Sequence, residues 1–138
     1  MKFKNDFSKY IEITNLLGNK YRETGLFDEA IAQHSEAVSV SKKIKNVAIA
    51  QENEAISRRA LGECFSEAGR HVEAKEQHDL YLNLSLSKGN AIEIQRSHAT
   101  IGRTYLLWAQ DIVNIREQRL LLFKSAVSFK KALELCER

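Results

Sequence analysis

The feature that most constrains this sequence is an internal repeat with a period of 44 residues. The segment Leu17–His34 aligns without gaps on the segment Leu61–His78, and eight of the eighteen aligned positions are identical. Both segments contain a Leu-Gly pair, an aromatic residue three positions after that glycine, a second glycine, a Glu-Ala pair and a Gln-His pair. Self-similarity at a period of this size is typical of proteins that stack one supersecondary unit many times. The chain is therefore predicted to be a repeat protein.

A third copy of the unit is interrupted. It begins at Ile101, 40 residues after the second copy, with Gly102 and with Tyr105 in the aromatic position. The second half of this copy appears late, at residues 125–133. The sequence thus predicts an insertion of about eleven residues between the two halves, around residues 110–121.

Each unit is predicted to be a helical hairpin. Leu17 and Tyr21 lie one turn apart on one face of a helix, and Gly18 lets a neighbouring helix approach closely. Gly25 and Gly69 are predicted to end the first helices, since glycine accepts the left-handed conformation that follows a helix. The second helices carry packing residues at spacings of four and three: Ala30, His34 and Ala37, then Ala74, His78 and Tyr81, then Ser125, Phe129 and Ala132. The six predicted helices cover residues 5–24, 27–44, 46–68, 71–87, 91–110 and 116–137.

Composition agrees with long helices and excludes several classes of protein. The 138 residues contain no proline, which is common in turns but excluded from helix interiors. Apolar runs are far shorter than the roughly 20 residues that span a bilayer, so no membrane association is predicted. A net charge of +3 without a basic stripe does not indicate direct nucleic-acid binding. The first five residues lack an apolar run, so no secretory signal is expected.

The pattern resembles the tetratricopeptide repeat, whose consensus has Leu-Gly, a following Tyr, and then Ala, Phe and Ala on the second helix. The resemblance implies an all-α fold, a solenoid of three helical hairpins with about six helices. Residues 1–138 would form a single domain with repeats at about 5–44, 46–87 and 91–137. The period exceeds the usual 34 residues and the closing proline is missing, as in the long repeats of kinesin light chains and Leu-Gly-Asn scaffolds. A solenoid end is normally capped, and no cap can be placed after residue 136. The chain is therefore expected to be part of a longer protein, or to leave its last helix exposed or dimerised.

Residues that could carry catalysis or bind a metal are better explained by packing. His34 and His78 occupy equivalent positions in the repeat, where the consensus places a packing aromatic residue. The other two histidines lack the spacing that puts two metal ligands on one helix face. Cys64 and Cys136 are far apart and have no nearby cysteine, so both are predicted to be reduced thiols. No nucleophile elbow or phosphate-binding glycine loop is present, and neither a metal, a cofactor nor an enzymatic activity is predicted.

In a tetratricopeptide solenoid the first helix of each hairpin lines a concave groove, and the resemblance implies which residues face it. These residues are polar and of mixed charge. Arginine suits bidentate recognition of carboxylates, and asparagine can both donate to and accept from a peptide amide. A groove that binds an extended peptide is predicted, whereas the simpler alternative is a solvated helix surface. The predicted peptide-binding residues are Asn15, Asn19, Arg22, Arg59, Glu63, Arg96 and Arg103.

A more specific resemblance lies in the third repeat. The run Ala99-Thr-Ile-Gly-Arg-Thr104, preceded by Gln95 and Arg96 and followed by the insertion, resembles the N-terminal repeats of the Tonsoku-like family. That resemblance implies a nuclear scaffold that acts with other repair-complex subunits in homologous recombination at damaged replication forks. It also implies that the groove recognises a core histone tail of the replication-coupled H-three type. Such a tail is basic, and a candidate acidic strip on the second hairpin consists of Glu52, Glu54, Glu63 and Glu67.

A second hypothesis has no histone binding. The chain would then be a structural assembly module of a large complex, of the kinesin-light-chain or Leu-Gly-Asn scaffold type. Its outer or terminal helices, in place of the groove, would join it to other proteins.

Overall fold

A computed structural model describes residues 6–136, which form six α-helices joined by short turns. Each helix packs against the next one in the sequence, and α1 also contacts α3. The helices are α1 (Asp6–Glu23), α2 (Phe27–Ser41), α3 (Val47–Glu67), α4 (His71–Lys88), α5 (Ala91–Gln110) and α6 (Ile115–Cys136). The predicted all-α solenoid of three tetratricopeptide-like hairpins is confirmed. The predicted helix ends at residues 5 and 137 lie outside the described residues.

Glycines end three of the helices in the same way. Gly25 has a φ of +81°, its N–H donates to the carbonyl of Arg22 at 3.0 Å, and the N–H of Leu26 donates to the carbonyl of Tyr21 at 2.9 Å. Gly69 and Gly89 have φ values of +79° and +68° and repeat this pair of hydrogen bonds. This pattern satisfies carbonyls at a helix end that would otherwise lack donors. The role predicted for the glycines after α1 and α3 is confirmed.

Asparagine side chains cap the N-termini of three helices. The side-chain carbonyls of Asn46, Asn90 and Asn114 accept hydrogen bonds of 3.0–3.1 Å from the backbone N–H three residues further on. These bonds cap α3, α5 and α6. α2 ends at Ser41, three residues before its predicted end, and the cap at Asn46 then begins α3.

The two helices of each hairpin meet at a glycine that faces a ring. The pairs are Gly18 with His34, Gly62 with His78, and Gly102 with Phe129. A Cβ atom added to these glycines would lie 2.6, 2.5 and 3.1 Å, respectively, from the nearest ring atom. The three hairpins therefore share one packing register, and the packing role predicted for the two histidines is confirmed.

The additional residues of the third hairpin lengthen its helices. Only residues 111–114 separate α5 from α6. α5 continues for eight residues beyond Gly102, which is three more than α1 has beyond Gly18. α6 has fourteen residues before Phe129, which is seven more than α2 has before His34. Three and seven residues are close to one and two helical turns, so the packing faces stay in phase. The expectation of an insertion between the helices was wrong, because those residues belong mainly to the helices themselves.

Candidate functional site

The first helices of the three hairpins line one polar cavity of about 110 Å³. α1, α3 and α5 supply most of its wall, and α4 contributes one ring. Three of the predicted groove residues meet there, one from each first helix: Arg22, Glu63 and Arg103. The full lining consists of Arg22, Glu63, Ser66, Glu67, His78, Thr100, Arg103, Thr104 and Leu107.

The other predicted groove residues lie outside the cavity wall. Asn19 and Arg59 are partly buried, and Arg96 is exposed. Arg59 is near enough to His78 for its charge to lower the pKa of that ring. The structure therefore brings part of the predicted set together around one cavity and leaves Asn19, Arg59 and Arg96 along the flanking surface.

Asn15 is occupied within the fold. Its side-chain Nδ2 donates to Ser57 Oγ at 3.0 Å, and its Oδ1 lies 2.8 Å from His34 Nδ1, which must donate because an amide oxygen only accepts. These bonds join α1 to both α3 and α2, and the residue is only 8% exposed. The sequence placed Asn15 at the groove surface, but the close approach of α3 covers it. Asn15 is not part of the accessible groove.

Replacing Asn15 with alanine is expected to lower the free energy of unfolding by about 2 kcal/mol, because Ser57 and His34 would both lose a buried partner. Denaturant unfolding followed by circular dichroism measures this loss. Asn19→Ala is the matched control, since Asn19 makes no side-chain hydrogen bond within residues 6–136. Equal losses in the two variants would contradict the structural role of Asn15.

The charges around the cavity are unevenly paired. Arg22 Nη1 lies 2.9 Å from Glu67 Oε2, and this hydrogen bond raises the pKa of Arg22. Within residues 6–136, neither Glu63 nor Arg103 forms an ion pair. One carboxylate and one guanidinium of the cavity wall are therefore available to a ligand.

The candidate acidic strip is divided by the fold. Glu63 and Glu67 line the cavity. Glu54 instead accepts from Arg58 Nε at 2.7 Å, while Arg58 Nη1 donates to Gln77 at 2.9 Å. That network holds α3 against α4, so Glu54 is used within the second hairpin.

Two buried polar atoms of the cavity wall lack a hydrogen-bond partner within the described residues, Ser66 Oγ and His78 Nδ1. Burial lowers the pKa of His78 to about 4, with Arg59 and Arg103 assisting and Asp79 opposing. The ring is therefore neutral near pH 7, with one nitrogen that donates and one that accepts. Because an unpartnered buried polar atom is destabilising, a ligand that reaches either atom gains a hydrogen bond.

Several cavity residues were not predicted from the sequence. Thr100 and Thr104 donate their hydroxyls to backbone carbonyls one turn earlier, at 2.8 and 2.9 Å, so only their lone pairs can serve a ligand. Glu67 is predicted from the sequence only as part of the acidic strip, and not as a groove residue. The spacing from Glu63 to Glu67, one helical turn, was the available signal.

Neither a metal site nor a membrane segment can be identified in the described part of the chain. Residues 6–136 contain no group of three or more histidine, cysteine, aspartate or glutamate side chains that could hold a metal ion. None of the helices formed by these residues is long and apolar enough to cross a membrane.

Several curated proteins match the sequence, although no protein-family model does. The Tonsoku-like protein of Mus musculus is 29% identical over 121 residues, or 88% of this chain. The Tonsoku-like proteins of Bos taurus and Drosophila melanogaster are 26% and 27% identical over 91% and 72% of the chain. The chain spans only 7–8% of the length of these curated relatives. Over most of its own length, the chain resembles the Tonsoku-like family.

Proposed function

We propose that the concave face of α1, α3 and α5 binds an extended peptide of a partner protein. The observation that carries this proposal is the cavity that these helices share, with Glu63 and Arg103 unpaired in its wall within the described residues. Two unlike charges on successive first helices, α3 and α5, can hold a ligand in one orientation. Ser66 Oγ and His78 Nδ1, which are unpartnered within the described residues, could offer a ligand further hydrogen bonds in the same cavity wall.

The size of the cavity favours a peptide over a small molecule. A volume of about 110 Å³ is far below the roughly 300–1,000 Å³ of ordinary small-molecule sites. It fits about one side chain of a larger partner. The polar surface that continues past Asn19, Arg59 and Arg96 would then contact the peptide on either side of that side chain.

The resemblance to Tonsoku-like proteins supports a finer proposal about the partner. The peptide would be a core histone tail of the replication-coupled H-three type, and the chain would act in the nucleus in recombination repair at damaged replication forks. A lysine or arginine of such a tail could form a charge-assisted hydrogen bond with Glu63, a stronger contact than one between neutral groups. Arg103 would disfavour a basic residue at its own position, so it would fix the register of the peptide.

Calorimetric titration of a replication-type histone tail peptide tests this proposal. Glu63→Gln is expected to weaken binding about tenfold, because one charge-assisted contact contributes about 1.5 kcal/mol. Arg103→Gln is expected to leave the affinity for this basic peptide unchanged or to raise it. With an acidic peptide of equal length, Arg103→Gln should weaken binding, whereas Glu63→Gln should leave the affinity unchanged or raise it.

Charge-matched controls separate a contact in the cavity from an effect of net charge. Glu29→Gln on α2 and Arg116→Gln on α6 make the same charge changes at exposed residues outside the cavity. No binding of the histone peptide at high micromolar concentration would refute the histone proposal. Equal weakening by Glu63→Gln and Glu29→Gln would refute the cavity as the peptide site.

A further inference from the structure

Neighbouring hairpins stack through the same three positions of the first helix. Relative to the Leu-Gly glycine, these positions are five and one residues before it and two residues after it. In α3 and α5 the side chains there are all buried: Ser57, Leu61 and Cys64, then Ser97, Ile101 and Thr104. Leu61 joins Val38 of the preceding hairpin in one apolar cluster. These three positions therefore define the surface on which a preceding hairpin sits.

In α1 the same three positions are exposed. They hold Ile13, Leu17 and Lys20, which we call the α1 end face. Ile13 and Leu17 are 59% and 43% exposed, although their counterparts in α3 and α5 are buried. Leu16, beside them, is exposed as well and widens the apolar surface.

The opposite end of the solenoid has the complementary surface. Val38 of α2 contacts the following hairpin, and its equivalent in α6 is Leu133, four residues after the ring that faces the glycine. Val38 is buried, whereas Leu133 is 58% exposed and Phe129 is 40% exposed. We call Leu122, Phe129 and Leu133 the α6 end face; all three are exposed.

We infer that a second copy of this chain stacks head to tail, with its α1 end face on the α6 end face of the first. The two exposed surfaces are the two sides of an interface that the chain already forms twice, between α2 and α3 and between α4 and α5. Leu133 and Leu17 of successive copies would repeat the contact between Val38 and Leu61. Such a contact is heterologous and does not close on itself, so it extends into open chains at high concentration.

Lys20 distinguishes this contact from the internal ones. Its counterparts, Cys64 and Thr104, are fully buried, and a lysine there must keep its ammonium in water while its stem lies along the partner. Stacking between copies is therefore weaker than stacking within the chain. Neither end face contains a residue of the cavity wall, so this inference does not rest on the proposed peptide binding.

Two single-face variants test the inference by light scattering coupled to size exclusion, from micromolar to millimolar concentration. The unaltered chain is expected to rise in average mass with concentration. Leu17→Asp blocks only the α1 end face and Leu133→Asp only the α6 end face, so each variant alone is expected to keep the mass of one chain. Mixed in equal amounts, they retain one intact face of each kind and are expected to form a dimer of twice that mass.

Val113→Asp is the matched control, because Val113 is 95% exposed in the turn between α5 and α6, away from both end faces. It is expected to associate like the unaltered chain. Circular dichroism tests whether all three variants keep their helices, as expected for substitutions at exposed positions. A single-chain mass of the unaltered protein at every concentration, or a monomeric mixture, would overturn the inference. Dimers of Leu17→Asp alone or of Leu133→Asp alone would also overturn it, because they would reveal a symmetric contact.

Discussion

Replacing Gly62 with alanine is expected to lower the free energy of unfolding by about 2–3 kcal/mol, through a clash that costs more than the gain in helix propensity. Alanine is normally the better helix former by about 1 kcal/mol. Here its Cβ would lie 2.5 Å from Cε1 of His78 and 2.8 Å from both ring nitrogens. The ring is fully buried, so it cannot move aside without displacing the helix that carries it. Denaturant unfolding at neutral pH measures the loss.

Gly102→Ala is the matched control in the third hairpin. Its Cβ would lie 3.1 Å from the ring of Phe129, which is partly in solvent and can move by the few tenths of an ångström required. The unfolding free energy is expected to stay within about 0.5 kcal/mol of the unaltered protein, since propensity offsets the smaller clash. A double-mutant cycle with His78→Ala isolates the clash, because Gly62→Ala should cost less in the His78→Ala background than in the unaltered protein. Equal destabilisation at Gly62 and Gly102 would contradict this explanation.

The hairpin packing was predictable because it depends on residues that repeat. Leu17-Gly18 and Leu61-Gly62 recur as Ile101-Gly102 in the third copy, and each copy brings its glycine against a ring of the second helix. Hydrophobic period and helix-ending glycines are local properties of the chain. They therefore indicated six helices, their order and most of their ends.

Contacts that differ between copies were not predictable in this way. Asn15, Arg59 and Ala99 occupy equivalent positions, yet only Asn15 bonds to both neighbouring helices. Arg22 of the first hairpin bonds to Glu67 of the second hairpin, and this pairing depends on the offset between α1 and α3. A repeat alignment contains no information about that offset. For this reason, the sequence indicated which helices line the groove but not which of their side chains remain free to bind.

The protein is expected to lose stability between about pH 7 and pH 5. Replacing His78 with phenylalanine is expected to make this loss smaller by about 2 kcal/mol. Burial lowers the pKa of His78 to about 4 in the folded chain, whereas an unfolded histidine titrates near 6.5. Between these pH values the unfolded chain binds more protons than the folded chain, so stability falls as the pH falls. Phenylalanine cannot bind the proton, and the equivalent position of the third hairpin holds a phenylalanine, Phe129. Denaturant unfolding at both pH values measures the difference.

The variant is expected to reduce the acid sensitivity and not to abolish it, because burial lowers the pKa of His34 to about 4 as well. His34 is a poorer site for the substitution, since its Nδ1 donates to Asn15 and a phenylalanine would leave that amide oxygen unpaired. His78 Nδ1 has no such partner within residues 6–136, so its replacement leaves no other group without a hydrogen bond. Phe129→His supplies the reverse control: the new imidazole would remain partly in water and add little acid sensitivity. If His78→Phe keeps the full loss of stability between the two pH values, the buried His78 ring does not cause that loss.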